Sequence, residues 1–243
     1  MIQEPFYSGD RPLEIGIFDN PVSYRQGYSL QQELHREVAA GEIPDQLLLL
    51  EHTPVYTVGK RGDGADFLLS PELLKDRGAE VVEIDRGGQI TYHGPGQIVL
   101  YIISNMGDRA RSIRRFVSCL EQVVIDYLVE RYGIESARDA KHPGVWVGEE
   151  KIAALGISIH GKTTMHGFAL NISTELSEFE AIVPCGIRDR GVCSVASLLA
   201  RSPGRFPGTE VPEPGNLQDE MELIGTMFRE TFGYSAGEAT RIH

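Results

Sequence analysis

Two periods of apolar residues run through the chain, and the places where one gives way to the other outline its elements. Leu13–Phe18 alternates apolar and polar residues, which predicts a strand. Across Ser23–Ala40, Tyr24, Tyr28, Leu34 and Val38 fall near one helical face, and Gly41 supplies a stop. Leu47–Leu50 is a continuous apolar run, which predicts a strand covered on both faces. A short helix over Leu69–Arg77 and strands over Glu80–Ile84 and Ile98–Ile103 follow. The strongest helix is Ser112–Tyr132, striped by Ile113, Phe116, Val117, Leu120, Val124, Tyr127 and Leu128 and ended by Gly133. Val145–Val147 and Lys151–Ile159 read as strands joined by a turn at Gly148–Glu150, and Phe168–Ile172 as another. A last amphipathic helix covers Asn216–Phe232. Arg201–Gly215, with four prolines, reads as a surface loop, and residues 236–243 as a loose tail.

Composition narrows the classes. At 243 residues, 41% hydrophobic and 24% charged, the chain can form one domain (1–243) with a sizeable core. A net charge of −12 argues against a nucleic-acid partner. Arg109, Arg111, Arg114 and Arg115 form a local exception, either a solvated helix start or a docking patch for an acidic partner. No apolar run approaches the ~20 residues that span a bilayer, so no membrane association is expected. The N-terminus lacks a secretory pattern, and three cysteines is an odd count, which together point to reduced thiols and a cytoplasmic location.

Asp85–Tyr101, DRGGQITYHGPGQIVLY, fits neither period. Glycine weakens strands but allows sharp bends and close approach to a ligand, so Arg86–Gly96 reads as a binding loop closed by a strand. Two ordinary hairpin turns fit the glycines equally well, and no phosphate-loop pattern is present. Cys185 lies in a Pro-Cys-Gly turn, where a thiol is more exposed than in a helix or strand. Its thiolate would be a nucleophile, though a buried inert thiol fits the same residues. Lys151 opens the apolar KIAALGI strand, either as a strand-end marker or pointing at a partner. Cys119, inside a helix, and His52, after a buried strand, read as core residues. His93 and His166 beside glycines lack metal-ligand spacing with Cys185, so no metal is expected. No G-x-S-x-G elbow is present.

RGGQITYHGPGQ resembles the signature of the lipoyl(octanoyl) transferases, the octanoyltransferases of lipoate biosynthesis. Three further stretches fit the same family: EHTPVYTVGKR; PGVWV with KIAALG and HGFALN; and IVPCGI followed by Val192-Cys193-Ser194-Val195, where cysteine replaces the family's usual threonine. The resemblance runs from about Leu13 to Leu199. It implies an α/β fold, a mixed sheet flanked by helices, similar to the catalytic domain of lipoate and biotin protein ligases. It implies octanoyl transfer from octanoyl-acyl carrier protein to a lysine of lipoyl domains, those of 2-oxoacid dehydrogenase complexes and the glycine cleavage H protein, without a cofactor. Cys185 matches the family's acyl-accepting cysteine and Lys151 the lysine paired with it. Arg86, Gly87, Gly88, Gln89, Ile90, Thr91, Tyr92 and His93 match its substrate-binding stretches, as do Ala154, Leu155, Gly156, Gly167, Phe168 and Ala169. His93 and His166 would then orient loops or hydrogen-bond the acyl carbonyl. Small residues would line a narrow tunnel that measures chain length at roughly 0.8 kcal/mol per methylene, and Gly88→Val is expected to weaken loading more than folding. An ATP-dependent ligase of the same fold, or a non-catalytic acyl-binding protein, are the competing readings.

Overall fold

The computed structural model describes residues 4–62, 66–183, 190–201, 210–235 and 239–243. The elements begin with β1 (Leu13–Phe18), α1 (Tyr24–Ala40), β2 (Asp45–Leu50), β3 (Val55–Val58), α2 (Pro71–Asp76), β4 (Glu80–Glu83), β5 (Ile90–His93) and β6 (Gln97–Ile103). There follow α3 (Ile113–Tyr132), β7 (Ala137–Arg138), β8 (Gly144–Val147), β9 (Glu150–His160) and β10 (Thr163–Asn171). The chain ends with β11 (Gly191–Val192), α4 (Val195–Arg201), α5 (Gln218–Phe232) and β12 (Ala239–Ile242). The main sheet has the order β12-β1-β2-β6-β10-β9-β8-β7, with β11 added beside β9. Its β1 pairs are parallel and its centre is antiparallel. A smaller sheet has the order β4-β3-β5. The α/β class and mixed sheet expected from the sequence are what the chain adopts.

The continuous apolar runs are explained by layers on both faces. Along β2, Leu47 and Leu49 join the main core while Leu48 and Leu50 join a second cluster. Along β6, Ile98, Leu100 and Ile102 go one way and Val99, Tyr101 and Ile103 the other. Phe116, Leu120, Val124 and Leu128 of α3 and Met221, Ile224 and Phe228 of α5 cover the first face. Val38, Leu30 and Leu34 of α1 cover part of the second. A capping box fixes the start of α1, with Ser23 and Gln26 reciprocally bonded, and Gly41 ends it in the left-handed region at φ 76. Among the described residues no helix is long and apolar enough to cross a membrane.

Two expectations differ from what the structure shows. Arg86–Gly96 is not all loop: Ile90–His93 pairs with Val55–Val58. The glycines flank this strand, and the Ile-Thr-Tyr between them favours extended backbone. The expected loose tail instead adds β12, parallel to β1, over Ala239–Ile242. The described side chains of the arginine cluster lie exposed at the start of α3. Arg109 bonds Ser8 Oγ, Arg115 bonds the carbonyls of Glu4 and Pro5, and Arg114 is exposed. The side chain of Arg111, and residues 202–209 of the expected surface loop, lie outside the described residues.

Candidate active site

The register of the three central strands sets small residues side by side. Gly167 of β10 lies between Tyr101 of β6 and Gly156 of β9, and Ala169 lies between Val99 and Ala154. Side chains alternate along strands, so these positions share a face, while Leu100 and Leu170 point into the main core. With little side chain on it, this face leaves a narrow cavity. Tyr24, Arg86, Gly88, Thr91, His93 and His166 complete its walls, with Leu155 and Phe168 at its edge.

The loop after β4 closes the cavity. Arg86 is 7% exposed. It donates from Nη2 to the carbonyl and hydroxyl oxygens of Thr57, both at 2.8 Å, and from Nη1 to the Gly87 carbonyl at 3.0 Å. Residues 59–61 lace the loop through backbone bonds to Gln89, Arg86 and Gly88. The loop lies so close to β9 that a Cβ on Gly156 would stand 3.0 Å from the Gly87 oxygen. Gly88 has φ +93, a conformation that penalises any side chain. Gly88→Val therefore strains the backbone and is a poor probe of the cavity alone. Farther along, Glu51 accepts from the Gly96 N–H at 2.7 Å and the Gly215 N–H at 2.9 Å, anchoring the far end of the glycine-rich stretch.

Three buried histidines around the cavity are fixed in neutral form. His52 donates from Nδ1 to Val22 O, so its Nε2 accepts from the Tyr101 hydroxyl at 2.6 Å. His93 donates from Nδ1 to Gln97 Oε1 at 2.7 Å. His166, at φ 65 a non-glycine residue in the left-handed region, donates from Nε2 to Asp85 Oδ1 at 3.2 Å. Burial lowers their pKa values to about 4, 3 and 4, outweighing the bonds that favour the charged forms. Asp85 also accepts from Tyr28 and His160, and these bonds with that of His166 outweigh its burial and lower its pKa. With these partners, His93 Nε2 and His166 Nδ1 carry lone pairs and cannot donate to an acyl carbonyl. The bonds to Gln97 and Asp85 hold these two rings in place, and His52 is a buried histidine bonded at both ring nitrogens.

Lys151 opens β9, 8% exposed, with Nζ 4.8 Å from the Trp146 ring centroid. Among the described residues no carboxylate pairs with it. It lines an open groove with Arg61, Lys141 and His142, and a small pocket with Gln97, Asn171 and Val192. The groove meets the cavity at Gly88, Leu155 and Gly156; the pocket meets it at Thr91, Ala154 and Ala169. Val192 pairs with Lys151 in register, and Cys193 N–H bonds the Lys151 carbonyl at 3.0 Å. Residues 184–189, and so Cys185, lie outside the described residues. Beyond them, Arg190 stacks over the same Trp146 ring at 3.6 Å and bonds Asp139 at 2.6 Å.

Comparison with known proteins places this geometry. The model for the lipoyl protein ligase A/B catalytic domain matches residues 23–205. The chain is 50% identical over 179 residues to an octanoyltransferase of Caldicellulosiruptor saccharolyticus, covering 73% of this chain and 76% of that protein. It is 45% identical over 223 residues to an octanoyltransferase of Rubrobacter xylanophilus, covering 91% and 94%. The chain belongs to the octanoyltransferases of the lipoyl protein ligase A/B family. It also shares the fold of a lipoate protein ligase-like protein of Thermoplasma acidophilum solved with bound lipoic acid, with TM-score 0.72, 16% identity and coverage of 97% and 90%.

Members of the octanoyltransferase family are acyltransferases, and the residues that matched the family's motifs divide by position in this chain. Arg86, Gly88, Thr91, His93, Ala154, Leu155, Gly156, Gly167, Phe168 and Ala169 gather around the cavity. Gly87 and Gln89 line the open groove. Ile90 and Tyr92 point away, into a cluster with Tyr56, Leu74 and Phe179, because side chains alternate along β5. Sequence reasoning missed Tyr24, Glu51, Gln97, Tyr101, Trp146 and Asn171. Gln97 donates to Asn171 Oδ1 at 2.9 Å, and Asn171 donates to Cys193 O at 3.1 Å, which ties β5 through His93 to the strand beside Lys151. Gln97 and Asn171 end the quoted motifs YHGPGQ and HGFALN, which was the available signal.

Proposed function

We propose that the chain transfers an octanoyl group from octanoyl-acyl carrier protein to a lysine of lipoyl domains, through a thioester on Cys185. The observation that carries this reading is a narrow cavity floored by Gly156, Gly167, Ala154 and Ala169 that adjoins Lys151, a buried amine with no carboxylate partner among the described residues. Two of the three thiols are poor nucleophiles. Cys119 and Cys193 are buried, which pushes their pKa values up to about 11 and about 12. Cys185 is the remaining thiol, and the segment containing it is followed by Arg190 and Val192, both beside the Lys151 site.

In the first step Lys151 takes the Cys185 proton and the thiolate attacks the thioester carbonyl carbon. A carbon–sulfur bond to Cys185 forms, the donor's carbon–sulfur bond breaks, and the departing phosphopantetheine thiolate takes the proton from Lys151. In the second step the acceptor lysine amine attacks, an amide forms and Cys185 leaves as thiolate. Lys151 receives the proton released by the amine and returns it to Cys185. A thioester is reactive enough to drive both steps without ATP. The fitting acceptors are lipoyl domains of 2-oxoacid dehydrogenase complexes and the glycine cleavage H protein.

Intact-protein mass after mixing with octanoyl-acyl carrier protein, without ATP, tests this. An octanoyl adduct on the native chain that hydroxylamine removes, absent from Cys185→Ser, is expected. No adduct, with product formed only from free octanoate and ATP, would assign the chain ligase chemistry instead.

A further inference from the structure

The open groove beside Lys151 differs in character from the rest of a chain with 35 acidic and 23 basic residues. Arg61, Lys141 and Lys151 line it, and among the described residues no aspartate or glutamate does. Arg11, Arg131, Arg138, Arg190, Arg201 and Arg241 each pair with a carboxylate. Among the described residues, the Arg61 and Lys141 side chains have no such partner. The acid nearest Lys141 in sequence is already committed: Asp139 Oδ1 accepts the N–H groups of Lys141 and His142, and Oδ2 accepts from Arg190. Those bonds fix the backbone that carries Lys141. Arg61 is fixed likewise, its N–H bonding the Gly88 carbonyl at 3.1 Å. Two cations on anchored backbone, with no carboxylate partner among the described residues, therefore flank the groove, which shares Gly88, Leu155 and Gly156 with the apolar cavity.

We propose that Arg61 and Lys141 form a subsite for the phosphodiester of the donor's phosphopantetheine arm. The proposal rests on the reading that the chain takes its acyl group from a carrier protein. Such a donor is hydrocarbon at one end and anionic at the other, with the thioester between them. The cavity, Lys151 and the cationic groove present complementary chemistry in contiguous spaces. Charge-assisted bonds from a guanidinium and an ammonium suit a phosphate, and exposed charges make the contribution fall with salt.

The test compares donors that differ only in phosphate. Loading from octanoyl-phosphopantetheine and from octanoyl-pantetheine is followed by intact mass for the native chain and for an Arg61→Gln/Lys141→Gln variant. The phosphorylated donor is expected to load about tenfold faster in the native chain at low salt, and the ratio to fall toward unity in the variant. A ratio unchanged by the substitutions, or near unity in the native chain, overturns the proposal. Calorimetric binding of phosphopantetheine, pantetheine and AMP separates it from the parent reading. Phosphopantetheine bound more tightly than the other two, with the difference lost in the variant, supports the subsite even if no acyl adduct forms. AMP bound as tightly as phosphopantetheine would make the groove a general phosphate site and sink the assignment to the donor's arm.

Discussion

The two faces of the central strands are made from the same sequence at alternate positions and do opposite things. Toward α3 and α5, Leu100, Phe168 and Leu170 are close-packed in the largest apolar cluster of the molecule. One residue along, Tyr101, Gly167 and Ala169 leave a cavity walled by tyrosines, neutral histidines and a buried arginine. Packing can be dense on one face because it is sparse on the other, and a period of two lets each face be tuned without disturbing its neighbour. Substitutions on the first face should therefore act on stability, and those on the second on acyl transfer.

The sharpest break between the faces lies at Lys151. Lys151→Met keeps the bulk of the side chain beside Trp146 and removes the amine. Octanoyl transfer should fall at least about 100-fold, with the melting temperature nearly unchanged. Transfer at the native rate would show that the cavity face carries no proton-transfer chemistry at this residue. Next in size is a matched pair. Leu100→Ala removes a fully buried side chain and should destabilise the chain by about 2–5 kcal/mol in denaturant melts, with little change in chain-length preference. Ala154→Leu, on the other face, extends a side chain into the cavity. It should move preference from octanoyl toward shorter acyl groups by about 0.8 kcal/mol per excluded methylene, with a smaller stability change. If the pair behaved alike, the division of labour between faces would fail.

Much of the packed face was legible and much of the cavity face was not. Leu47–Leu50 and the stripe of Ser112–Tyr132 depend on local period alone, so their elements follow from a linear pattern. The cavity depends on register across three strands. Nothing near Gly167 in the chain says that Gly156 and Tyr101 stand beside it. Glycine also carries several meanings. At Gly156 it accommodates a neighbouring backbone, at Gly88 it permits a positive φ, and both read from sequence as small residues in a tunnel. β12 was not legible because four exposed residues, Ala239–Ile242, have no amphipathic pattern, and what holds them is pairing with β1, far away in sequence.

Acid should expose the cost of the polar face. His52, His93 and His166 have folded pKa values of about 4, 3 and 4 against the ordinary 6.5. Below pH 6.5 the unfolded chain therefore binds more protons than the folded one, and stability falls as pH drops through the window from about 6.5 to 4. Each histidine should contribute a loss on the order of 1–2 kcal/mol by pH 5. His52→Gln or His93→Gln should flatten the pH profile of stability, even if the variant is less stable at pH 8. An unflattened profile would place the acid sensitivity elsewhere.

The smallest expected effect separates backbone from cavity at the loop that joins them. Gly88→Ala adds one methyl at φ +93, where the new Cβ would stand 3.0 Å from Arg86 Nη1. An L-residue in that region costs about 1–2 kcal/mol, and the displaced guanidinium would loosen its hold on Thr57. Gly87 is the control: it is not at positive φ, and a Cβ there meets only the Ile157 carbonyl at 3.4 Å, an ordinary contact. Gly88→Ala should thus lower stability and octanoyl loading together, whereas Gly87→Ala should change stability little. Loss of loading at Gly88 with stability intact would mean that the residue serves the cavity by its size and that the backbone argument is wrong. Equal, small effects at both positions would mean that the loop tolerates rearrangement and that closure of the cavity depends on Arg86 and Thr57 rather than on the glycines.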